Sequence, residues 1–297
     1  MFNSLPTFLT NSLILNMSNL LVNRSLGKTT KSLPDNKMDS STLIGLIALV
    51  LVFLLGGLIP FYADRNDRYS HGLRNLSLAL AAGVIGILMT PLVLWSVRLA
   101  ARHDLGLCNL IAIYPVACGL LTFVLFDLWM YVWRRMNHQL PFLWRFHQVH
   151  HTDPALDSTT ALRFHPVEVL ISTALNCVLM IALGMSLEVF ALYKSVMVVV
   201  ILFHHSNLRI SPHLDSWLRW VIVPPSLHRV HHSNLRWETD SDYGTIFSFW
   251  DQLFGSYRTR HTYHDIRFGI GRYDSPDWQR PLRLLVLPLR PLAPGDK

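Results

Sequence analysis

Two stretches of the sequence carry the same spacing of three histidines, HxxHH. The first lies in the string RFHQVHH and the second in LHRVHH, and the six residues are His147, His150, His151, His228, His231 and His232. Positions i, i+3 and i+4 share one face of an α-helix, so each motif directs three imidazoles into one small volume. Imidazole is the usual protein ligand of borderline transition metals. The repeat therefore predicts a metal site between two helices rather than chance histidines on polar helix surfaces.

Histidines outside the two motifs enlarge the set of candidate ligands. Eleven of the fifteen histidines fall between His138 and His232, and among them His138, His204 and His205 are further candidates. More than six histidines exceed the needs of one four-coordinate zinc ion, so two metal ions are the simpler interpretation. The sequence has no HExxH protease motif and no glycine-rich nucleotide motif, so electrons for a redox reaction must come from a separate donor. These features together fit a non-haem di-iron centre that activates dioxygen.

The composition indicates that membrane helices position these histidines. Hydrophobic residues make up 51% of the chain and charged residues 15%, with a mean hydropathy of +0.31. About 20 helical residues cross a bilayer core, and uncharged windows of that length recur. They are Ser40–Ala63, Asn75–Val97, Leu105–Phe126 and Val169–Leu187, with a fifth, Val189–Asn207, interrupted by Lys194. We therefore predict an all-α integral-membrane bundle of four to five spans with a His-rich helical cap beside the membrane. Gly184 makes the last two windows a hairpin, which either crosses the membrane fully or is re-entrant.

The same pattern predicts four segments along the chain. They are a disordered tail or excess upstream sequence at 1–38, membrane anchor helices at 39–126, a catalytic domain at 127–275 that includes a membrane hairpin at about 167–203, and a C-terminal tail at 276–297. Met38 directly precedes the first apolar window, so translation starts either there or at Met1.

The basic residues bear on partners and on orientation. The net charge is +7, and most Lys and Arg residues flank apolar runs, which favours an anionic membrane surface over nucleic acid as the partner. Three arginines follow the first window and two follow the second; they are Arg65, Arg68 and Arg74, then Arg98 and Arg102. This asymmetry favours a cytosolic His-rich face if Met38 is the start, whereas the four basic residues before Met38 argue for the opposite orientation.

The three cysteines carry no recognisable framework. Cys108, Cys118 and Cys177 lie inside apolar runs without CxxC spacing. Neither a disulfide nor a thiolate metal site is indicated, so we expect these side chains to serve in core packing.

Six motifs, in order along the chain, resemble those of the fatty acid hydroxylase and sterol desaturase superfamily. They are DLWMYVWRRMNH at 127–138, LPFLWRFHQVHHTDP at 140–154, TALRFHPVE at 160–168, FHHSN at 203–207, LHRVHHS at 227–233 and DYGTIFSFWDQLFGSY at 242–257. The resemblance implies a helical membrane anchor, a cytosol-facing cap and a di-iron site ligated by histidines. It also implies hydroxylation, desaturation or oxidation of lipid chains or sterols.

Arg134 departs from the family pattern. The first box usually begins with a histidine in an HxxxH motif, and here Arg134 takes that place and leaves His138 alone. Asp127, Arg134 and His138 fall on nearly one helix face. Arg134 therefore either pairs with Asp127 or extends to the interface beside Arg135. Asp127 is also a possible extra metal ligand or a partner of one.

Other polar positions lead to smaller expectations. Asp242 stands where the family commonly has Asn, a change expected to adjust hydrogen bonding rather than abolish it. His165 is either an added ligand, a partner of a ligand or a loop histidine, and Asn207 is expected to orient His204 or His205. The remaining histidines are expected to be solvated or interfacial; they are His71, His103, His213, His261 and His264.

The residues and the resemblance together predict an O2-dependent lipid hydroxylase or desaturase with two iron ions. Its nine candidate ligands are His138, His147, His150, His151, His204, His205, His228, His231 and His232. The expected partners are a membrane lipid, either an acyl chain, a sterol or an isoprenoid, and a separate reductase or small electron carrier. Hydroxylation is favoured over desaturation. Two alternatives stay open: a membrane zinc hydrolase, and a scaffold protein that lost catalysis through Arg134.

Overall fold

The protein is described here from a computed structural model that covers residues 40–63, 67–111 and 113–292, so the predicted tail at 1–38 lies outside the described residues. In chain order the helices are α1 (Ser40–Leu58), α2 (Arg68–Arg102), α3 (Leu107–Leu110), α4 (Pro115–Gln139), α5 (Pro141–His151), α6 (Pro166–Leu183), α7 (Leu187–His204), α8 (Pro212–Leu218), α9 (Pro225–His231), α10 (Arg236–Thr239), α11 (Phe249–Leu253) and α12 (Pro281–Val286). Turns of 3₁₀ helix cover Thr160–Leu162 and Leu287–Leu289. No β-strand occurs in this part of the chain, which confirms the all-α class.

Four helical segments in the described ranges are long and apolar enough to cross a membrane. They are Arg68–Leu110, Pro115–Gln139, Pro166–Leu183 and Leu187–His204. A shorter apolar helix, Leu43–Leu58, lies before them. The predicted integral-membrane bundle of four to five apolar helices is thus confirmed.

The third span begins later than its predicted window, Leu105–Phe126. α4 starts at Pro115 and continues past Asp127 to Gln139, because Asp127 is fully buried and does not need to reach water. Proline suits the first turn of a helix, where its missing N–H has no partner to lose. The boundary predicted between residues 126 and 127 therefore lies within one helix.

Polar contacts link the helices inside the bundle. α6 packs along α2, α7 packs along α1, and α4 contacts both α6 and α7. Lipid chains are as apolar as leucine, so burial of apolar surface gives little driving force for helix association there. Trp129 Nε1 donates to Asn176 Oδ1 at 2.8 Å, and the Tyr193 hydroxyl donates to Asp127 Oδ1 at 2.8 Å. These two bonds tie α4 to each arm of the α6–α7 hairpin.

The end of the hairpin packs against the connection between α2 and α4. Gly184, with φ of 66°, ends α6, and a Cβ on Gly106 would lie 2.1 Å from the Gly184 nitrogen. Cys108, in the same connection, and Cys118, in the first turn of α4, form a disulfide with a Cα–Cα distance of 5.7 Å. The expectation that these two cysteines serve only in packing was wrong, because the chain reversal before α4 brings them together. Cys177 is free and buried.

The stretch predicted as a C-terminal tail packs on the cap in its described part. Leu284 and Leu287 are fully buried against Leu78 of α2 and Val149 of α5. Arg145 Nη1 also donates to the carbonyl oxygens of Pro288 and Arg290. α12 and the turn after it therefore hold α5, which carries the first HxxHH motif, against the bundle.

Candidate metal centre

Four helix ends deliver the candidate ligands to one layer at the end of the bundle. His138 lies in the last turn of α4, and α5 begins two residues after α4 ends. His205 caps the end of α7, and the second HxxHH motif occupies the short helix α9 and its cap. Prolines at the first positions of α5 and α9 start these two helices immediately after extended residues. Two short helices therefore face the ends of two membrane spans.

Eight of the nine predicted ligands form two groups of four. The first histidine group is His138, His147, His151 and His231, and the second is His150, His205, His228 and His232; within each group the ligand atoms lie within 4.8 Å of one another. All eight side chains are buried, at 2% exposure or less. The structure thus brings together two candidate metal sites rather than one.

Each HxxHH motif contributes to both groups. In the first motif the i and i+4 residues, His147 and His151, enter the first group, and the i+3 residue enters the second. In the second motif the assignment is reversed, because His228 and His232 enter the second group and His231 the first. The expectation that one motif serves one volume was too simple. The reciprocal arrangement places the two groups side by side, and the rings of His151 and His232 stack at 4.5 Å.

Outer hydrogen bonds set the tautomers of the first histidine group. Nδ1 of His147 contacts Glu168 Oε1 at 2.8 Å, and Nδ1 of His231 contacts the Ser241 carbonyl oxygen at 2.7 Å. Since these oxygens accept, each Nδ1 carries the proton and each Nε2 keeps its lone pair. Nε2 of both rings is buried without a hydrogen-bond partner. Metal-ligating histidines characteristically donate through the other ring nitrogen in this way.

The two other rings of the first group follow the same pattern. The Thr239 hydroxyl donates to the His231 carbonyl at 2.6 Å, so it accepts from Nδ1 of His151 at 3.3 Å. Nδ1 of His138 contacts Asp240 Oδ1 at 3.3 Å. All four rings therefore present Nε2 to the same small volume. A buried nitrogen lone pair without a partner is costly, and a bound cation would relieve that cost.

The second histidine group is held differently. Three contacts join Nε2 atoms: His205 to His150 at 3.2 Å, His205 to His228 at 2.9 Å, and His228 to His232 at 3.1 Å. Bonds of about 2.1 Å from one ion to each nitrogen would hold such nitrogens roughly 3.0–3.4 Å apart. In this group only His205 has an outer acceptor in the described residues, the Ile201 carbonyl oxygen at 2.7 Å. The spacing fits one metal ion.

Burial keeps these imidazoles neutral. It lowers the pKa of His150, His151 and His231 well below the usual value, and neighbouring histidines add to the effect. Burial also lowers the pKa of His205 to about 3. Neutral imidazole is the form that binds a metal ion. The donor set of both groups therefore fits a borderline transition metal.

The other candidate residues lie apart from the two groups. His204 belongs to neither group, although its ring stacks on His228 at 3.9 Å. His165 caps α6 by accepting from Val167 N and contacts the Leu285 carbonyl, and Asn207 pairs with the Tyr62 backbone. Asp127 accepts from Tyr193, Trp250 and the backbone N–H groups of Ile246 and Phe247. His165, Asn207 and Asp127 therefore hold the fold around the site.

The expectations for Arg134 were wrong. The four donors above occupy Asp127, and Arg134 is buried at 8% exposure instead of reaching the interface. Its Nη1 donates to the Gly244 carbonyl oxygen at 3.1 Å. The loop that carries Gly244 lies over α4, so the guanidinium finds a backbone acceptor without turning outward.

The acceptors of the first histidine group and a second polar cluster are not evident from the sequence. Glu168 was detectable as an acid at the start of an apolar helix, but its partner was not. His71, expected to be solvated or interfacial, is 3% exposed and contacts Asp153 at 2.7 Å and Asp157 at 3.0 Å. These three residues connect α2 to the loop after α5. No spacing in the sequence indicates a contact between residues more than 80 positions apart.

A cavity of about 510 Å³ leads from the first histidine group into the bundle. His147, Glu168 and Arg134 line its end at the metal layer, and residues of α2, α4, α6 and α7 line the rest. At the opposite end Phe190 and Leu187 lie near the hairpin turn. Leu187 and Ile201 both line the cavity and lie fourteen positions apart on α7, so a rise of 1.5 Å per residue gives the cavity a length of about 20 Å.

Comparison with known proteins agrees with this site. The fatty acid hydroxylase family model matches residues 119–256. Ornithine lipid hydroxylase OlsE of Rhizobium tropici is 33% identical over 146 residues, which cover 48% of this chain and 42% of the relative. Alkylglycerol monooxygenases of Xenopus tropicalis and Homo sapiens are 30% and 27% identical, over 46% of this chain and 30% and 29% of their own lengths.

The matched region thus spans less than half the length of each of these relatives. No solved structure matches the chain. The matched residues include both HxxHH motifs and all eight grouped histidines. Residues 119–256 therefore match the fatty acid hydroxylase family, which supports placing the chain in the fatty acid hydroxylase and sterol desaturase superfamily.

Proposed function

We propose that the chain is an O2-dependent non-haem di-iron enzyme that hydroxylates a C–H bond of a membrane lipid. The observation that carries this proposal is the pair of buried four-histidine groups at the end of a long cavity between membrane helices. Each group would hold one iron ion. Together the two ions, when bound, supply the reduction of dioxygen and the removal of hydrogen from an unactivated carbon.

The protein's own residues supply positioning and exclusion of water. Glu168 and Asp240 keep two rings of the first group in the tautomer that presents Nε2, and the Ser241 carbonyl does the same for His231. The apolar walls of the cavity, including Met180 and Phe190, hold a lipid chain with one carbon near the first histidine group. Entry from the bilayer suits a substrate that is mostly apolar.

The relatives narrow the substrate class. One is named for hydroxylating an ornithine lipid and others for mono-oxygenating alkylglycerols. We carry over only the broader class, a lipid with a polar head and a long apolar chain. Electrons would come from a separate reductase or small carrier.

The disulfide supports a cytosolic His-rich layer. Twenty residues of α4 separate Cys118 from His138, a distance of about 30 Å along the helix. Disulfides persist in oxidising compartments outside the cytosol. Because Cys118 and His138 lie at opposite ends of one membrane span, the histidine layer belongs on the reducing side.

Lipid analysis tests the activity. Cells that express the wild-type chain should contain a lipid that has gained one oxygen atom derived from labelled dioxygen, and cells with His231→Ala should not. Loss of two hydrogens would make the enzyme a desaturase. Absence of any lipid change with oxygen and reductant present would refute the proposal. Zinc rather than iron in the purified protein, with oxygen-independent activity, would favour the membrane zinc hydrolase.

A further inference from the structure

The cavity beside the first histidine group contains a buried cation without an acidic partner. Arg134 is 8% exposed and lines the cavity together with His147. Its guanidinium has five N–H donors, and one hydrogen bond, to the Gly244 carbonyl oxygen, is formed among the described residues. No carboxylate of the described chain lies within ion-pair distance of it. A buried charge normally has a partner, so this arginine points to a ligand.

The acids around Arg134 are engaged elsewhere. Asp251 accepts from the backbone N–H groups of Tyr243 and Gly244 and from the Ser256 hydroxyl. Asp127 accepts four hydrogen bonds, and Glu168 accepts from His147 through Oε1, while Glu168 Oε2 is buried without a hydrogen-bond partner among the described residues. None of these acids forms an ion pair with Arg134, so the remaining guanidinium donors face the cavity, where a ligand would present its anionic oxygens to Arg134 and away from Glu168 Oε2.

Two further groups of the cavity, a hydroxyl and an ammonium, favour an oxygen-rich anion. The Thr245 hydroxyl lines the same end, is buried, and has no hydrogen-bond partner. Lys194 lines the cavity deeper in the bundle and likewise has no acidic partner in the part of the chain that the structure describes. The end at Arg134 lies next to the metal layer, and the rest of the cavity runs between the membrane helices.

We infer that Arg134 anchors a carboxylate or phosphate of the lipid head group beside the first histidine group. This inference rests on the proposed function, because it takes the cavity as the substrate site. The chain of the lipid then extends along α6 and α7 toward Phe190, and the carbon that reacts lies within a few bonds of the head group. Arg134, which replaces a histidine of the family motif, thereby selects acidic lipids over neutral ones.

Equilibrium binding to the purified full chain tests the inference without turnover. The probes are an alkyl phosphate, a fatty acid and an alkanol of the same chain length. Wild type should bind both anions at least about tenfold more tightly than the alkanol, since a charge-assisted bond to a buried arginine contributes at least that much. Arg134→Gln should lose this preference, and Arg134→Lys should retain part of it.

Two matched variants make the test specific. Arg135→Gln removes the same charge one residue away, where the side chain donates to the Tyr131 hydroxyl, and should keep the preference. Lys194→Gln removes the other cation of the cavity and should also keep it. Equal binding of anions and alkanol by wild type, or loss of preference in Lys194→Gln but not in Arg134→Gln, would overturn the inference.

The two proposals fail separately. If Arg134→Gln retains the anion preference while cells still produce an oxygenated lipid, the anchor is wrong and the hydroxylase stands. If wild type binds anions through Arg134 but contains no iron and adds no oxygen, the anchor stands and the hydroxylase is wrong.

Discussion

At the scale of single residues, the two histidine groups differ in what orients their rings. Every ring of the first group has an outer acceptor, and two of these acceptors are the carboxylates of Glu168 and Asp240. In the second group one backbone carbonyl serves His205, and Nδ1 of His228 has no partner. Outer carboxylates raise the basicity of a ligating imidazole and fix its direction. The first group should therefore bind its metal ion more tightly.

Glu168→Gln tests this role. Glutamine keeps the size of the side chain but removes the negative charge that faces Nδ1 of His147. We expect metal affinity at the first group to fall about 10–100-fold, as with other outer partners of metal ligands. The measurement is iron retained per chain during titration with a chelator.

Glu188→Gln is the matched control for that variant. Glu188 is exposed at the start of α7, far from the histidine layer, and its substitution should leave the chelator curve unchanged. An unchanged curve for Glu168→Gln as well would mean that Glu168 has no part in metal binding.

Asp242 shows why the family commonly has Asn at this position. Its φ is 50°, a left-handed conformation that Asn tolerates well, and it is fully buried. Burial and the neighbouring Asp251 carboxylate raise the pKa of Asp242 well above its usual value. The Ser241 hydroxyl donates its single proton to the Glu238 carbonyl. Its oxygen can then only accept in the contact with Oδ2 of Asp242, and an asparagine side chain would supply the donor for that contact.

Asp242→Asn should therefore stabilise the fold, and more so at higher pH. A carboxyl whose pKa is raised in the folded chain favours the folded state at low pH, and that contribution is lost as the pH rises through the folded pKa. We expect a gain of about 1 kcal/mol or more near pH 8, shrinking toward pH 4. Thermal unfolding in detergent at several pH values measures it. A gain independent of pH would contradict this explanation.

At the scale of elements, local periodicity predicted the features that depend on residues close together in the sequence. Apolar windows located most of the helices, and HxxHH spacing located the two ligand helices. Periodicity could not assign His150 and His151 of one motif to different groups, since that depends on how α5 and α9 face each other. The apolar window also ended the third span before Asp127, whereas the helix continues. Asp127 can be buried because it accepts hydrogen bonds from α7 and from residues 119 or more positions later, and periodicity does not reveal such partners.

The contact between Gly106 and the hairpin turn is specific enough to test. Gly106 has φ of 100°, and an added Cβ would meet the Gly184 backbone. Gly106→Ala should destabilise the fold by at least about 1–3 kcal/mol, the usual cost of a strained backbone conformation. Thermal unfolding in detergent measures this loss.

Gly83→Ala is the control for that change. Gly83 is exposed in the middle of α2, and an added Cβ would have no atom within 4 Å. Alanine favours the helix by about 0.5–1 kcal/mol relative to glycine, so stability should not fall. Equal losses in the two variants would refute the close contact at Gly106.

At the scale of the whole molecule, the proposed orientation places the disulfide and the histidine layer on opposite sides of the membrane. Cysteines introduced singly at Glu188, near the hairpin turn, and at Ser275, in the cap, report the two sides. An impermeant thiol reagent applied from the cytosolic side should label Ser275→Cys, and from the other side Glu188→Cys. Labelling of both from one side would show a re-entrant hairpin.

The central claim is that two histidine groups hold two iron ions, and the metal content of the purified protein tests it most directly. Elemental analysis of wild-type protein, prepared without added metal, should give about two iron ions per chain, one for each group of four histidines. Zinc in place of iron, or no more than one metal ion per fully folded chain, would contradict the di-iron account.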